Sequence, residues 1–460
     1  MGFPYGGYDL ILRLLRATSP LLAAGESKVA RGIRGRQGAV ETLEEWAGRA
    51  RTPDRPLVWF HAPSVGEGLQ ARAVLEALRT ERGDLQAVFT HFSPSAEGLA
   101  RSMPVEVAGY LPWDTHSESR RVLAALRPSL LVFTKTEVWP TLAREAERQG
   151  AHVVLAAATL PEHAGRLRPG VRHLLAPVFR RLDRVLAISE EDGERFGRLG
   201  VAPEQVVVTG DPGIDSARER ALAADPDASY LEPFRRPHRP TLVCGSTWPA
   251  DEKVLLPAVR RVREDHPGLR LLLAPHEPHE AHLETLEAEL ATDGWKTARL
   301  GEVEERGEAG DADTVVVDRV GVLAHLYTVG DVAFVGGGFH PHGLHSVLEP
   351  AAAGLPVIFG PAWSNARAAG DLLLEGGARE VASPEELAGV LGRWLDREDE
   401  RIGIGERAEG YIRRHIGAAR RTAEALAGFL PPRQGDKSHG DGGDAAGTDR
   451  GPLPQDQTAD

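Results

Sequence analysis

Two acidic residues stand nearly alone among small and aromatic neighbours, each just after a short apolar run. Glu67 lies in "HAPSVGEG" (61–68), behind Leu57-Val58-Trp59-Phe60. Glu137 lies in "TKTEVWP" (134–140), behind Leu130-Leu131-Val132-Phe133. A carboxylate in such a loop has two uses. It caps the start of the next helix, or it takes a proton from a hydroxyl bound at the mouth of a cleft, a step worth about 10²–10⁴-fold in rate. Ser64 fits the cap, and glycines 66 and 68 either turn the chain or keep side chains clear of a ligand.

A third stretch, "VAFVGGGFHPHGLHSVLEPAAAGLPVIFG" (332–360), places three glycines behind a strand. Gly337 and Gly338 let backbone N–H groups approach a ligand. A helix starting near Leu344 or His345 would aim its N-terminus at the same loop, an anion site. Glu349, about one turn in, could accept two hydrogen bonds from a ribose diol. With His345 and Ser346 added, the segment has the phosphate end and the ribose end that a nucleotide needs. The plainer alternative is a Gly-rich turn with an acid favoured by the helix dipole. In "CGSTWPADE" (244–252), Ser246 or Thr247 either caps the next helix or donates to a phosphate. In "APHEPHEAH" (274–282), His276 and His279 sit where polar recognition of a ligand is expected. His340, His342 and His345 have a spacing possible for zinc, but no cysteine or acidic pattern supports a metal, and none is expected.

Strands and helices in alternation must position these loops. From residue 56, short apolar runs alternate with helix-length amphipathic stretches, the pattern of a parallel sheet with crossover helices. The runs are 57–60, 87–90, 130–134, 153–157, 185–188 and 206–209, with helices expected at 69–82, 117–126 and 190–199. A second series follows at 241–244, 270–274, 314–317, 332–335 and 356–359. The boundaries are an amphipathic, basic segment at 1–50, an α/β domain at 51–217 and a linker at 218–240. A second α/β domain follows at 241–395, then terminal helices at 396–430 and a disordered, Gly- and Asp-rich tail at 431–460. Open α/β sheets bind ligands outside the carboxyl ends of their strands, so all the loops above fall on the useful side.

Composition excludes some classes. A formal net charge of -13 over 460 residues argues against sequence-independent nucleic-acid binding. The lone Cys244 rules out an internal disulfide and, in an apolar run, reads as a buried structural thiol. No stretch reaches the roughly 20 apolar residues of a membrane span. The segment 8–22 places Leu10, Ile11 and Leu14 on one helical side, with Arg13 and Arg16 on another. It suits a helix lying on an anionic membrane surface, or one packed on its own domain.

The ordered set "HAPSVGE", "YLPWD", "TEVWP", "AISEEDGERFGRLGV", "VTGD", "GSTWPADE", "APHEPHE" and "FVGGGF...GLHSVLEPAAAGLPVIFGP" resembles the 3-deoxy-D-manno-octulosonic acid (Kdo) transferases, from about residue 8 to 430. The resemblance implies a GT-B glycosyltransferase, with two Rossmann-like domains facing each other across a cleft and final helices crossing back. It implies inverting, metal-independent transfer of Kdo from CMP-Kdo to the lipid A precursor, lipid IVA. The place implied is the cytoplasmic face of a bacterial inner membrane, with peripheral or monotopic attachment. Glu67 would be the general base and Glu137 would support the reacting sugar, with Ser64, Gly66 and Lys135 on the acceptor side. CMP would be held by Pro275, His276, Gly321, Val322, Leu323 and the run Ser346, Val347, Leu348, Glu349. His276 stands where the family usually has Arg, Ser346 where it has Asn, and Gly213 where it has a basic residue. A transferase using another nucleotide sugar, and a catalytically silent nucleotide-sugar or glycolipid binding protein, are the alternatives.

Overall fold

The computed structural model describes residues 3–25, 27–225, 227–235 and 239–433. Its strands fall into two all-parallel, seven-stranded sheets. The first holds β1 (Leu57–His61), β2 (Gln86–His91), β3 (Val107–Tyr110), β4 (Leu130–Thr134), β5 (His152–Ala158), β6 (Arg184–Ala187) and β7 (Val206–Val208) in the order β3-β2-β1-β4-β5-β6-β7. The second holds β8 (Thr241–Thr247), β9 (Arg270–Pro275), β10 (Thr297–Arg299), β11 (Thr314–Val316), β12 (Val332–Val335), β13 (Val357–Phe359) and β14 (Ala378–Glu380) in the order β10-β11-β9-β8-β12-β13-β14.

Parallel strands carry helices on both faces, so central strands are apolar throughout. β1 and β4 are buried at every position. Their alternate side chains feed two cores. Trp59, Leu131 and Phe133 pack with Leu43, Trp46 and Leu142; Val58, Phe60 and Val132 pack with Val74 and Leu78 on the other face. Cys244 is fully buried in the core of the second sheet, and burial pushes its thiol well up.

Strand order reverses direction between β1 and β4 in one sheet and between β8 and β12 in the other. Doubly wound sheets open a ligand crevice at such a switch point. The register His61↔Phe133 sets "HAPSVGE" beside "TKTEVWP". The register Gly245↔Val335 sets "STW" beside the glycine run.

The two carboxyl ends face each other. Lys28 from the first half reaches Glu277, just after β9. Arg367, after β13, donates to Ser189 Oγ and to Glu191, both at 2.9 Å, just after β6. The chain also crosses back: helix Ala418–Ala427 lies against helix Val65–Glu81, and its Ala419, Ala423 and Leu426 belong to the first domain's core. The expected linker from 218 starts as helix, since Pro212–Ala223 runs through it, and residues 226 and 236–238 lie outside the described residues. The expected tail lies outside the described residues beyond Arg433.

The amino-terminal helix, Tyr5–Leu22, docks by its polar side. Asp9 accepts from the His116 N–H at 2.7 Å, Arg16 pairs with Glu118 at 2.6 Å, and Arg144 lies over the Tyr5 ring. Leu10, Ile11, Leu14, Leu15, Leu21 and Leu22 point outward, 51–82% exposed. Among the described residues no helix is long and apolar enough to cross a membrane.

Candidate active site at the facing strand ends

Glu67 lies in the first turn of helix Val65–Glu81, not in a free loop. Ser64, the residue before the helix, donates its hydroxyl to one Glu67 oxygen. Lys135 Nζ stands 3.1 Å from the other. Lys135 is the first residue after β4 and has φ 56°, a left-handed conformation that a lysine adopts at a cost of about 1–3 kcal/mol. The turn aims the ammonium at Glu67. Gly66 has open space where a side chain would begin, so it leaves this face clear. Gly68 instead lets the helix pack on its own domain, since a Cβ there would stand 2.4 Å from Leu99.

Glu137 follows on the same strand end. His61 Nε2 lies 4.0 Å from it and accepts from Trp139 Nε1 at 3.0 Å. His61 is fully buried, which pulls its pKa down. With Nε2 accepting, the proton sits on Nδ1, which faces Thr90 Oγ1 at 3.1 Å. Glu137 therefore has a neutral imidazole on this side, and the cation whose charge it meets is Arg36. Asp114 of "YLPWD" is not a free rim residue. It accepts the Thr141 and Leu142 N–H groups at 3.0 and 2.7 Å, tying down the helix that follows Trp139, and burial pushes it up to about 7.

Gly213 tests the expected loss of a cation. Its N–H donates to Asp211 at 2.7 Å, and Gln70 Nε2 donates to the same oxygen at 2.8 Å. A Cβ at 213 would stand 2.9 Å from that oxygen and 3.4 Å from Leu348 across the cleft. The position lies between Asp211, Gln70 and Leu348, so a side chain there would have to displace the Asp211 carboxylate. Burial raises the Asp211 pKa, and the Lys135 charge opposes that rise. Lys135 thus serves both acids as the local cation.

On the facing sheet, the glycine run works differently from the sequence expectation. The Gly336 N–H donates to Gly245 O at 2.9 Å and the Gly337 N–H to Asp251 Oδ2 at 2.7 Å. Asp251, fully buried, also takes the N–H groups of Trp248 and Phe339 at 2.9 and 3.0 Å. These donors are committed inside the protein. A Cβ on Gly336 or Gly338 would meet the backbone of Ser246 or Gly360 within 2.4 Å, so the glycines permit backbone-to-backbone packing. Thr247 is also turned inward, its hydroxyl on Glu252 at 2.9 Å, while Ser246 holds a left-handed φ of 57° at the strand end.

The helix expected near Leu344 begins at Leu348 and ends at Ala352. A turn through Gly343, with the Leu344 N–H on Asn365 at 3.0 Å, occupies the preceding residues. Glu349 is therefore in the first turn of a five-residue helix, too short to carry a macrodipole argument. Val347 and Leu348 bury their side chains, and the Ser346 hydroxyl caps the Leu348 N–H at 3.3 Å. Glu349 is gripped by Arg220 through Nη2 at 2.7 Å and Nε at 3.0 Å. Gly321, Val322 and Leu323 form a turn whose Leu323 packs beside Gly245, at the end of β8.

His276, just after Pro275, stacks on His345 with ring centroids 4.1 Å apart. Trp248 donates to His345 Nε2 at 2.9 Å and stacks on His340 at 4.4 Å. Burial, with neighbouring charge added, holds both His276 and His345 down at about 4, so these two rings are neutral at pH 7. His279 turns to solvent beside Glu277. Among the described residues no three His, Cys, Asp or Glu side chains are placed to hold a metal ion.

Sequence reasoning did not select Gln70, Trp248, Asp251 or Arg220. Asp251 carried a signal, an acid three residues after Trp248 at a helix start. Arg220 carried none, because its partner is 129 residues away.

A relative from Chlamydophila psittaci named 3-deoxy-D-manno-octulosonic acid transferase is 30% identical over 382 residues, covering 82% of this chain and 86% of that one. One of the same name from Bordetella pertussis is 30% identical over 402 residues, covering 83% and 89%. The family described as "3-Deoxy-D-manno-octulosonic-acid transferase (kdotransferase)" matches residues 34–216. The chain belongs to this family. It is a glycosyltransferase, and its family transfers Kdo in lipopolysaccharide biosynthesis. Solved structures at 10–12% identity share the fold: a putative UDP-N-acetylglucosamine 2-epimerase from Listeria monocytogenes, with a TM-score of 0.58 over 82% of this chain and 96% of that one, and a glycosyltransferase from Rickettsia africae, with 0.57 over 82% and 98%. The GT-B architecture of the Kdo transferases is thus the one seen here.

Proposed function

We propose that this Kdo transferase uses CMP-Kdo as donor and lipid IVA as acceptor, with inversion and without a metal, on the cytoplasmic face of the inner membrane. The observation that carries the reading is Glu67, held between the Ser64 hydroxyl and the Lys135 ammonium at the switch point of the first sheet. A sugar hydroxyl is a weak nucleophile until its proton is accepted in the transition state. Glu67 takes that proton as the acceptor oxygen bonds to the anomeric carbon. The bond from that carbon to the CMP phosphate breaks, and CMP leaves with the electron pair. Lys135, 3.1 Å from Glu67, orients its carboxylate and lends positive charge near the departing phosphate. Glu137 supports the developing positive charge on the sugar. Across the cleft, Glu349 takes the ribose, sharing its carboxylate with Arg220. The exposed leucines of helix Tyr5–Leu22 hold the enzyme on the surface that carries the acceptor.

The test mixes purified protein, CMP-Kdo and lipid IVA, then reads CMP release and the mass gained by the lipid. Glu67→Ala is expected to lower turnover by about 10²–10⁴-fold and to leave folding intact. Normal turnover in that variant removes Glu67 as the base. Binding of both ligands by the wild type without CMP release sinks the transferase reading in favour of a binding protein.

A further inference from the structure

The helix Lys28–Arg36 carries Lys28, Arg31, Arg34 and Arg36 and no acid. It lies against β3 and the turn after β2, on the acceptor side. Gly35 makes that contact possible, since a Cβ there would stand 2.1 Å from the Tyr110 ring. Two of the four cations are occupied: Lys28 by Glu277, and Arg34 by the carbonyls of Ala23 and Gly25 at 2.6 Å. Arg36 is held otherwise. Its guanidinium lies 3.6 Å from the Phe92 ring centroid and 5.3 Å from that of Trp113. Its Nε and Nη2 are buried with no hydrogen-bond partner among the described residues, and the Arg31 Nε is in the same state.

Nε and Nη2 together form the side-on edge of a guanidinium, which matches the two oxygens of an oxoanion. This molecule uses that edge elsewhere. Arg82 holds Asp84 through it at 2.9 and 2.9 Å, and Arg299 holds Glu287 at 2.7 and 3.0 Å. In Arg36 the Phe92 and Trp113 rings lie beside the guanidinium and leave the edge unpaired. Burial lowers its pKa to about 10, so it stays charged at neutral pH. A buried charged edge with no hydrogen-bond partner is costly, and a protein that keeps one has a use for it. The site adjoins the chemistry: Phe92 stacks on Trp139 at 5.5 Å, and Glu137 is near enough to pull the Arg36 pKa back up.

We propose that Arg36, backed by Arg31, is an oxoanion site on the acceptor side of the cleft. It receives a phosphate monoester of the lipid acceptor or the carboxylate of the transferred sugar acid, with Phe92, itself part-exposed, giving way as the ligand enters. This assignment rests on the transferase reading above.

The test compares the full-length wild type with Arg36→Gln and Arg36→Lys. CMP-Kdo and a phosphorylated diglucosamine lipid are titrated separately, and the lipid is also used after phosphatase treatment. Arg36→Gln raises KM for one of the two substrates by roughly 10- to 100-fold, the range for a lost hydrogen bond to a charged group. Its unfolding midpoint equals or exceeds that of the wild type, because a buried unpaired charge is gone. Arg36→Lys regains only part of the affinity, since an ammonium has no side-on edge. If the lipid KM moves, and phosphatase treatment abolishes the difference between wild type and variant, the anion is the acceptor phosphate. If the CMP-Kdo KM moves, it is the sugar carboxylate. Unchanged KM values for both substrates in Arg36→Gln overturn the assignment, whether or not stability falls. A fluorescence titration with inorganic phosphate, read through Trp113 and Trp139, needs no turnover. Wild type binding phosphate about tenfold more tightly than Arg36→Gln, in a protein that transfers nothing, keeps the site and sinks only the transferase reading.

Discussion

At the scale of single residues, the site mixes charges that are paired with rings that are kept neutral. Glu67 has Lys135, Glu349 has Arg220, and His276 and His345 are stacked on each other and held at about 4 by burial. The last pair makes the fold sensitive to acid. In the unfolded chain both imidazoles bind protons near pH 6.5. Between about pH 6.5 and 4 the unfolded chain therefore binds more protons than the folded one, and stability falls as pH falls through that window. The contribution is complete above pH 6.5. Denaturant midpoints measured from pH 7 to 4 should drop for the wild type, and drop less for His276→Gln combined with His345→Gln. Parallel curves for the two proteins would refute this. The roles of these residues were partly legible. Glu67 and Glu137 stood out as lone acids behind apolar runs. The committed donors of the glycine run did not, because only the tertiary placement of Asp251 decides where those N–H groups go.

At the scale of elements, the central strands could be read because a parallel sheet buries them on both faces and leaves continuous apolar runs. β3, β10 and β14 were missed. Each is an edge strand of three or four residues, and β3 and β14 are half exposed, so little apolar signal remains. The amino-terminal helix shows the reverse. Its apolar stripe was visible, but the partners of its arginines were not. Arg13 pairs with Asp9 and Arg16 with Glu118, so the cations face protein carboxylates instead of lipid phosphates. Membrane affinity from this helix should then be chiefly hydrophobic. Changing Leu10, Leu14 and Leu21 to serine should lower binding to phosphatidylethanolamine–phosphatidylglycerol vesicles by about 10³-fold, at about 1.5 kcal/mol per leucine buried in the bilayer. The unfolding midpoint should hardly move, because these side chains bury little in the protein. Raising the salt should change wild-type binding only slightly. A triple variant that floats with vesicles as the wild type does would remove the helix as the anchor.

At the scale of the molecule, two sheets face each other, joined where Ile214 and Ala217 pack with Leu344, Val347 and Leu348. The helix Ala418–Ala427 ties the chain's end into the first domain and fixes the hinge side. At the cleft mouth, Lys28 meets Glu277 and Arg367 meets Ser189 and Glu191. Exposed ion pairs contribute only about 0–1 kcal/mol each. That is too little to matter for folding and enough to shift an equilibrium between open and closed forms by up to about fivefold. Glu277 neighbours His276, so opening at Lys28 also moves the neutral His276 and His345 rings away from Glu67. Lys28→Glu should enlarge the radius of gyration seen by X-ray scattering without ligand and raise the KM for CMP-Kdo, while leaving the thermal midpoint nearly fixed. Adding Glu277→Lys restores the pair in reverse and should restore both values. Recovery in the double variant is the informative result, because it assigns the effect to the contact and not to either charge alone. A double variant as open as Lys28→Glu would show that this pair does not set the cleft.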